Sequence, residues 1–160
     1  MDAMTKENEK LPFAKSFTDL IVYRKARALS HDVFEITKKL PREEAFSLTD
    51  QWRRAARSIG AQISEAWAKR RYPRHFISKL SDADGERAET QHWTLVAFDG
   101  SYITREEAQR IGTAAQEIGK MLGAMMAEAR SFCGDDYELK ETSEIYSAFS
   151  DPEAELNTEN

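Results

Sequence analysis

The residues that could bind a metal ion or act as nucleophiles are few in this chain of 160 residues, and their spacing is poor for either role. His31, His75 and His92 include no pair at i, i+4, and none of them stands beside Cys133, the single cysteine. Protein zinc sites gather three or four such ligands at short, regular spacings. We therefore expect no metal site.

Two acidic motifs invite a metal-binding interpretation, and neither supports it. The run at 82–86 resembles a calcium-binding loop, but its glycine stands fourth instead of sixth and the run falls within a predicted helix. Glu89-x-x-His92 supplies one half of the paired motif of di-iron bundles, and the other half is missing. The sequence also lacks a phosphate-binding glycine loop and a nucleophile elbow. We expect a protein that is not an enzyme and has no catalytic residues and no cofactor.

The chemistry with the best support is phosphate binding by basic side chains. Residues 52–79 carry eight basic residues against Glu65 alone, a net charge of +7. Cations beside an aromatic ring suit the backbone and bases of RNA or DNA, although a solvated helix face would show the same composition. The candidate nucleic-acid-binding residues are Arg53, Arg57, Lys69, Arg70, Arg71, Tyr72, Arg74 and Lys79.

The charge of the chain is unevenly distributed. The formal net charge is -5, yet residues 15–131 carry +4, while residues 132–160 carry nine acids and only Lys140, a net charge of -8. An acidic segment can occupy a basic surface of its own chain and compete with phosphate groups. The predicted nucleic-acid contact therefore belongs to the body of the chain.

Composition and termini restrict the class of protein. One cysteine excludes a disulfide framework, and no apolar run approaches the roughly 18 residues of a membrane span. The first ten residues lack the apolar core of a signal peptide, so we expect a cytoplasmic protein without a membrane partner. Residues 1–15 are predicted to be a flexible arm and residues 132–160 a largely disordered acidic tail.

The elements that must position the basic residues are four predicted helices, with no strand. The first spans 18–40, the second runs from Ser47 to near Tyr72, and the third runs from Pro73 to Asp99. Thr104 and Glu107 form a capping box that opens the fourth. Because the connections are short, we predict an all-α, antiparallel up-down-up-down four-helix bundle over residues 16–131.

Two helix faces carry further predictions. The third helix is expected to bury one face, which consists of Phe76, Leu80, Ala83, Ala88 and Leu95. The fourth has a stripe of small residues, which consists of Ala108, Gly112, Ala115, Gly119, Gly123 and Ala127. Such a stripe suits either tight packing inside the bundle or close contact with another subunit, and both interpretations remain open.

Three motifs, together with this helix pattern, resemble a known family. They are Phe17-Thr-Asp19-Leu20, the run from Gln51-Trp-Arg53-Arg54-Ala55 through Ser58-Ile59 to Glu65, and the run Leu80-Ser-Asp-Ala83-Asp-Gly85 with Glu89. The family is the bacterial four-helix bundle proteins, also called 23S ribosomal RNA intervening-sequence proteins. The accessory proteins of diversity-generating retroelements are similar at a greater distance. Gln62, Ala66 and Glu86 depart from the family's asparagine, glycine and serine.

The resemblance, which covers residues 16–131, implies properties that the residues alone do not. It implies a ring-like homopentamer, nucleic-acid binding through a basic surface and no catalytic residues. The retroelement branch implies an alternative role, that of an oligomeric scaffold or adaptor for a protein partner such as a reverse transcriptase.

A structural ion pair is also expected. Glu65 lies near the apolar stripe of the second helix, and a buried carboxylate needs a partner. We predict that Glu65 or Glu89 meets an arginine such as Arg54, within one protomer or between two. Partial exposure of all three side chains is the alternative.

Overall fold

The computed structural model describes residues 13–133, and over that range the chain is helical, without a strand. Its helices are α1 (Ile21–Thr37), α2 (Asp50–Ala68), α3 (Pro73–Asp99), α4 (Arg105–Ala127) and the short α5 (Ala129–Cys133). The all-α prediction, with four long helices, is confirmed. Most of the predicted arm at 1–15 and of the predicted tail at 132–160 lies outside the described residues.

The four long helices enclose one apolar core. Helix α2 packs on α1 and α3, helix α4 packs on α3 and α1, and α5 lies against α3 and α4. Trp52 and Phe76 are the largest of the fully buried side chains. The predicted apolar stripes of α1, α2 and α4 are buried, because their residues recur every three or four positions along the chain.

The helix starts differ in how they are capped. The Thr104–Glu107 capping box is formed, and Ser16 caps a 3₁₀ turn over Phe17–Asp19, so α1 itself begins only at Ile21. Ser47 caps no helix. It lies in a π-helical turn, Ala45–Thr49, that leads into α2, and its hydroxyl donates to the carboxylate of Glu44.

The boundary between α2 and α3 falls close to its predicted place. Helix α2 ends at Ala68, because the chain turns through residues 69–72 before Pro73 opens α3. Pro73 stands at the first position of α3, as predicted, where its missing N–H costs no hydrogen bond. The basic residues Lys69, Arg70 and Arg71 therefore lie in a connection and do not extend α2.

The predicted apolar face of α3 is partly wrong. Ala88 is exposed and Leu95 is 60% exposed, whereas Thr90, Thr94 and Ala97 are buried. Both threonine hydroxyls donate to the carbonyl four residues earlier, at 2.9 Å and 2.8 Å, which satisfies their polar groups inside the core. A pattern that counts only apolar residues predicts that Thr90 and Thr94 are exposed. The face of α3 predicted in this way is therefore rotated relative to the face that is buried.

The length and hydropathy of a helix decide whether it could span a membrane. Within residues 13–133, no helix is both long enough and apolar enough to span a bilayer.

Candidate nucleic-acid interface

The residues of the predicted basic surface lie in two separate parts of the structure. The junction cluster, defined as Lys69, Arg70 and Arg74, lies where α2 turns into α3. Arg53 and Arg57 lie farther back on α2 and face α1. At 1.5 Å per residue, the 12 residues from Arg57 to Lys69 span about 18 Å of helix. The sequence predicted one basic surface for these residues, but in the fold they lie in two separate places.

The junction cluster is built on the end of α2. The guanidinium of Arg70 lies 4.3 Å from the centroid of the Trp67 ring, and its Nη1 donates to the Trp67 carbonyl at 2.8 Å. A cation at a helix C-terminus also interacts favourably with the helix dipole. Local packing therefore holds the charge of Arg70 at the tip of α2.

Two aromatic rings accompany these cations. The side chain of Tyr72 is exposed, and its ring centroid lies 5.5 Å from that of His75, with 50° between the planes. The Tyr72 N–H donates to the Lys69 carbonyl at 2.9 Å, which fixes the turn that presents both rings. Exposed rings beside cations can stack on unpaired bases while the cations contact phosphates.

The charges of the junction cluster are not neutralised within the part of the chain that is described. Lys69, Arg70 and Arg74 form no ion pair with any residue in 13–133. Arg71, which is also exposed, lies in the same connection. The cluster therefore presents net positive charge to solvent.

Lys79 stands apart from this cluster. Its ammonium lies 3.0 Å from the Glu65 carboxylate and 3.4 Å from that of Asp82, and it donates to the Gln62 side chain at 3.2 Å. The hydrogen bond to Glu65 raises the pKa of Lys79 above its usual value. Two carboxylates thus compensate its charge, which leaves Lys79 less suited than Lys69 to bind a phosphate.

Arg57 lines a groove between α1 and α2, and Arg53 lies one turn before it on α2. The Arg53 Nε donates to Thr37 Oγ1 at 2.7 Å, and the two guanidinium groups lie 4.8 Å and 5.9 Å from the centroid of the Phe34 ring. The groove has a volume of about 560 Å³. It forms a second basic site, in which Arg57 is exposed.

Sequence reasoning missed the α1 side of this groove. Arg27, His31 and Phe34 line it and stand at i, i+4 and i+7, so they share one face of α1. That spacing was the available signal. It is weaker than the signal of α2, because only Arg27 and His31 carry it on α1.

The residues of the predicted ion pair have other partners within the protomer. Arg54 lies 3.7 Å from Asp50, Glu65 pairs with Lys79, and Glu89 accepts a hydrogen bond from Trp93 Nε1 at 3.0 Å. All three side chains are exposed, as the alternative interpretation expected. A pairing between protomers stays a prediction.

The ionisable groups of residues 13–133 offer no cluster of three or more side chains that could hold a metal ion. Cys133 is buried, and burial raises the pKa of its thiol, against a smaller lowering by the charge of Arg70. A neutral buried thiol is a poor nucleophile.

Comparison with known proteins shows to which family the chain belongs. Residues 18–124 match the model of the 23S rRNA-intervening sequence protein family. The chain belongs to this family. The resemblance of its three motifs is thereby confirmed, and both basic places lie within the matched range.

One solved structure is similar to this chain. It is a protein of unknown function from Bacteroides thetaiotaomicron VPI-5482, described as belonging to the S23 ribosomal protein family. It is 32% identical, with a TM-score of 0.61, and the match covers 66% of this chain and 98% of that one. No curated protein matches the chain.

Proposed function

We propose that this member of the intervening-sequence family is a non-enzymatic, oligomeric helical bundle that binds nucleic acid through its basic surface around α2 and α3. One observation supports the proposal above the others. Lys69, Arg70 and Arg74 lie together without an ion-pair partner in residues 13–133, beside the rings of Tyr72 and His75.

The physical basis is the release of counterions from the nucleic acid. Each phosphate neutralised by a lysine or arginine frees condensed cations, and base stacking on a ring adds about 1–3 kcal/mol per base. Neither interaction depends strongly on sequence. Because the family's name refers to 23S rRNA, single-stranded RNA is the first polyanion to test.

The proposal includes an antiparallel up-down-up-down arrangement. Contacts between α1 and α4 support it, since Lys25 lies 2.7 Å from Glu117 and Asp32 lies 4.0 Å from Arg110. The later position in α1 therefore contacts the earlier position in α4, as expected for antiparallel helices. Lys79 near the start of α3 likewise reaches Glu65 near the end of α2.

Self-association, with a homopentamer as the specific prediction, forms the last part of the proposal. Two features of the outer surface support it. Within residues 13–133, a Cβ added at Gly112 or Gly123 would meet no atom within 4 Å outside its own helix backbone, and Leu95 is 60% exposed. Small residues that no intramolecular neighbour requires suit the close approach of a second copy.

The decisive experiment compares two triple variants of equal charge. The first changes Lys69, Arg70 and Arg74 to Gln, and we expect at least tenfold weaker binding to a single-stranded RNA at 0.1 M salt. The second, a matched control, changes Lys25, Lys39 and Arg110 to Gln on the α1–α4 face, where each cation already has a carboxylate partner. Fluorescence anisotropy measures both affinities.

The control should keep at least half of the affinity of the unmodified chain. Equal losses in the two triple variants would show that only net charge matters, and would contradict the proposed surface. Absence of RNA and DNA binding by the unmodified chain would favour the alternative role of scaffold or adaptor for a protein partner.

A further inference from the structure

The described chain ends beside the junction cluster. Helix α5 packs against α3, and the Phe132 ring stacks on that of Phe76, with centroids 5.6 Å apart and 27° between the planes. Phe76 lies in the first turn of α3, two residues after Arg74. The next residue, Cys133, is buried and lies within electrostatic reach of Arg70. Whatever follows Cys133 therefore begins next to the junction cluster.

The sequence that follows is strongly acidic. Residues 134–160, defined here as the acidic segment, carry nine carboxylate side chains and Lys140, a net charge of -8. An extended residue spans at most about 3.6 Å, so Asp135 lies within about 7 Å of Cys133. The segment thus offers carboxylates from its second residue onward, at the place where the junction cluster offers cations.

The described carboxylates near this end are already engaged. Glu65 and Asp82 both lie within 3.4 Å of the Lys79 ammonium. They do not pair with Lys69, Arg70 or Arg74, which keeps three cations of the cluster uncompensated within residues 13–133. The acidic segment therefore has the charge that complements the junction cluster, and it is covalently attached next to that cluster.

We propose that the acidic segment docks on the junction cluster of its own chain and competes there with nucleic acid. A short tether supplies an effective concentration of the order of millimolar, which makes individually weak exposed ion pairs sufficient. Because these contacts are exposed, salt screens them, and the docked segment yields to a polyanion of higher charge density. The docking itself is independent of the proposed function, whereas the competition rests on it.

The groove between α1 and α2 is the less suitable acceptor. Arg53 and Arg57 lie about 18 Å or more from Lys69 along α2, and the Phe34 ring and Thr37 already hold the Arg53 side chain. The proposal therefore commits to Lys69, Arg70 and Arg74.

Zero-length carbodiimide cross-linking of the full chain tests the docking without RNA. The reagent joins an amine to a carboxylate in direct contact, and mass spectrometry of the digested protein identifies the linked peptides. Lys25 and Glu117, 2.7 Å apart, provide an internal standard in every sample. Equal amounts of unlabelled and ¹⁵N-labelled chain, refolded together, separate links within a chain from links between copies.

We expect Lys69 to be joined to a carboxylate of the acidic segment within one chain at 20 mM salt. The yield, normalised to the Lys25–Glu117 link, should fall at least fivefold at 0.5 M salt. If the standard forms and Lys69 links to no residue of 134–160, the docking is wrong. Linked peptides that are as often of mixed isotope as of one isotope would also overturn it, since that random proportion means that the acceptor is a second copy.

A second measurement tests the competition. The variant D135N/D136N/E138Q/E141Q/E144Q should bind single-stranded RNA about tenfold tighter than the unmodified chain at 50 mM salt, with the difference lost near 0.5 M. Equal affinities at 50 mM would overturn the competition. If neither chain binds RNA or DNA, the proposed function and the competition fail together, and the Lys69 cross-link still decides the docking.

Discussion

At the scale of single residues, two neighbouring positions at the end of α3 have different roles in ending the helix. Gly100 is the C-cap of α3, yet its own φ is −73° and the left-handed position is Ser101, with φ 61°. The N–H groups of Ser101 and Tyr102 donate to the carbonyls of Phe98 and Ala97, at 2.9 Å and 3.0 Å, which forms a Schellman motif. A Cβ at Gly100 would lie 2.8 Å from the Tyr102 ring, so this glycine is required for close approach.

Two substitutions separate these roles. Ser101→Gly should raise the free energy of unfolding by about 0.5–1 kcal/mol, because a side chain disfavours the left-handed conformation. Gly100→Ala should lower it by about 1–2 kcal/mol, because the Tyr102 ring must move away from its hydrogen bond to Glu44. Urea unfolding measures both. A stabilising Gly100→Ala variant would contradict the close-contact interpretation.

Glu107 links a helix cap to a neighbouring helix. Its carboxylate accepts from the Thr104 N–H at 2.8 Å and pairs with the Lys39 ammonium of the turn after α1. The hydrogen bond from Lys39, followed by that from Thr104, lowers the pKa of Glu107 below its usual value. The ionised form is therefore favoured in the folded state, and its stabilisation is lost as the pH falls through the lowered pKa.

Glu107→Gln tests this pH dependence. Glutamine retains an oxygen that can accept from Thr104 but loses the charge that attracts Lys39, so the cost should be at most about 1 kcal/mol above pH 5. The difference from the unmodified chain should shrink below pH 4, as the native carboxyl becomes protonated. Thermal unfolding at pH 7 and pH 3.5 provides the comparison, and a constant difference would exclude the ion pair as its cause.

At the scale of elements, the small-residue stripe of α4 serves more than one purpose. Ala115 is buried, and a Cβ at Gly119 would lie 2.9 Å from the Arg87 Nε, so these two positions serve packing inside the protomer. Gly112 and Gly123 have no such neighbour. Both interpretations of the stripe thus retain support, each at different positions.

Alanine substitutions distinguish the positions. In an isolated protomer, Gly112→Ala and Gly123→Ala should each stabilise α4 by about 0.8–1 kcal/mol, whereas Gly119→Ala should gain less because Arg87 must shift. Gly85→Ala on α3, which also meets no neighbour, is the matched control. If Gly112 or Gly123 contacts a second copy, its variant should lose assembly by light scattering while Gly85→Ala keeps it. Unchanged assembly in all three would place those glycines outside the subunit interface.

At the scale of the whole molecule, charge is organised by position. The net charge of -5 combines a body of +4 at residues 15–131 with -8 at residues 132–160 and -1 at residues 1–14. The RNA-binding prediction belongs at this scale, because it concerns the summed field of several side chains. If the three cations of the junction cluster each neutralise a phosphate, their removal should reduce the salt-dependence slope for single-stranded RNA by about 2.

Much of this molecule followed from short-range sequence rules. The period of the apolar residues gave four helices, Pro73 gave the start of α3, and the Thr104–Glu107 box gave the start of α4. Each depends on residues within a turn or two of one another, and so does the family resemblance that the match over residues 18–124 confirms. Thr90 and Thr94 show the limit of such rules, because their burial depends on which face of α3 the neighbouring helices cover.

The sequence by itself determined the helical class, the helix boundaries to within a few residues and the presence of an excess of cations around residues 52–79. Only the tertiary structure decided which of those cations are already engaged by other side chains. Lys79 is compensated by Glu65 and Asp82, Arg53 and Arg57 face α1, and Lys69, Arg70 and Arg74 remain together at the junction. The physical reason is that helix formation depends on neighbours along the chain, whereas the electrostatic environment of a charge depends on side chains brought close by packing.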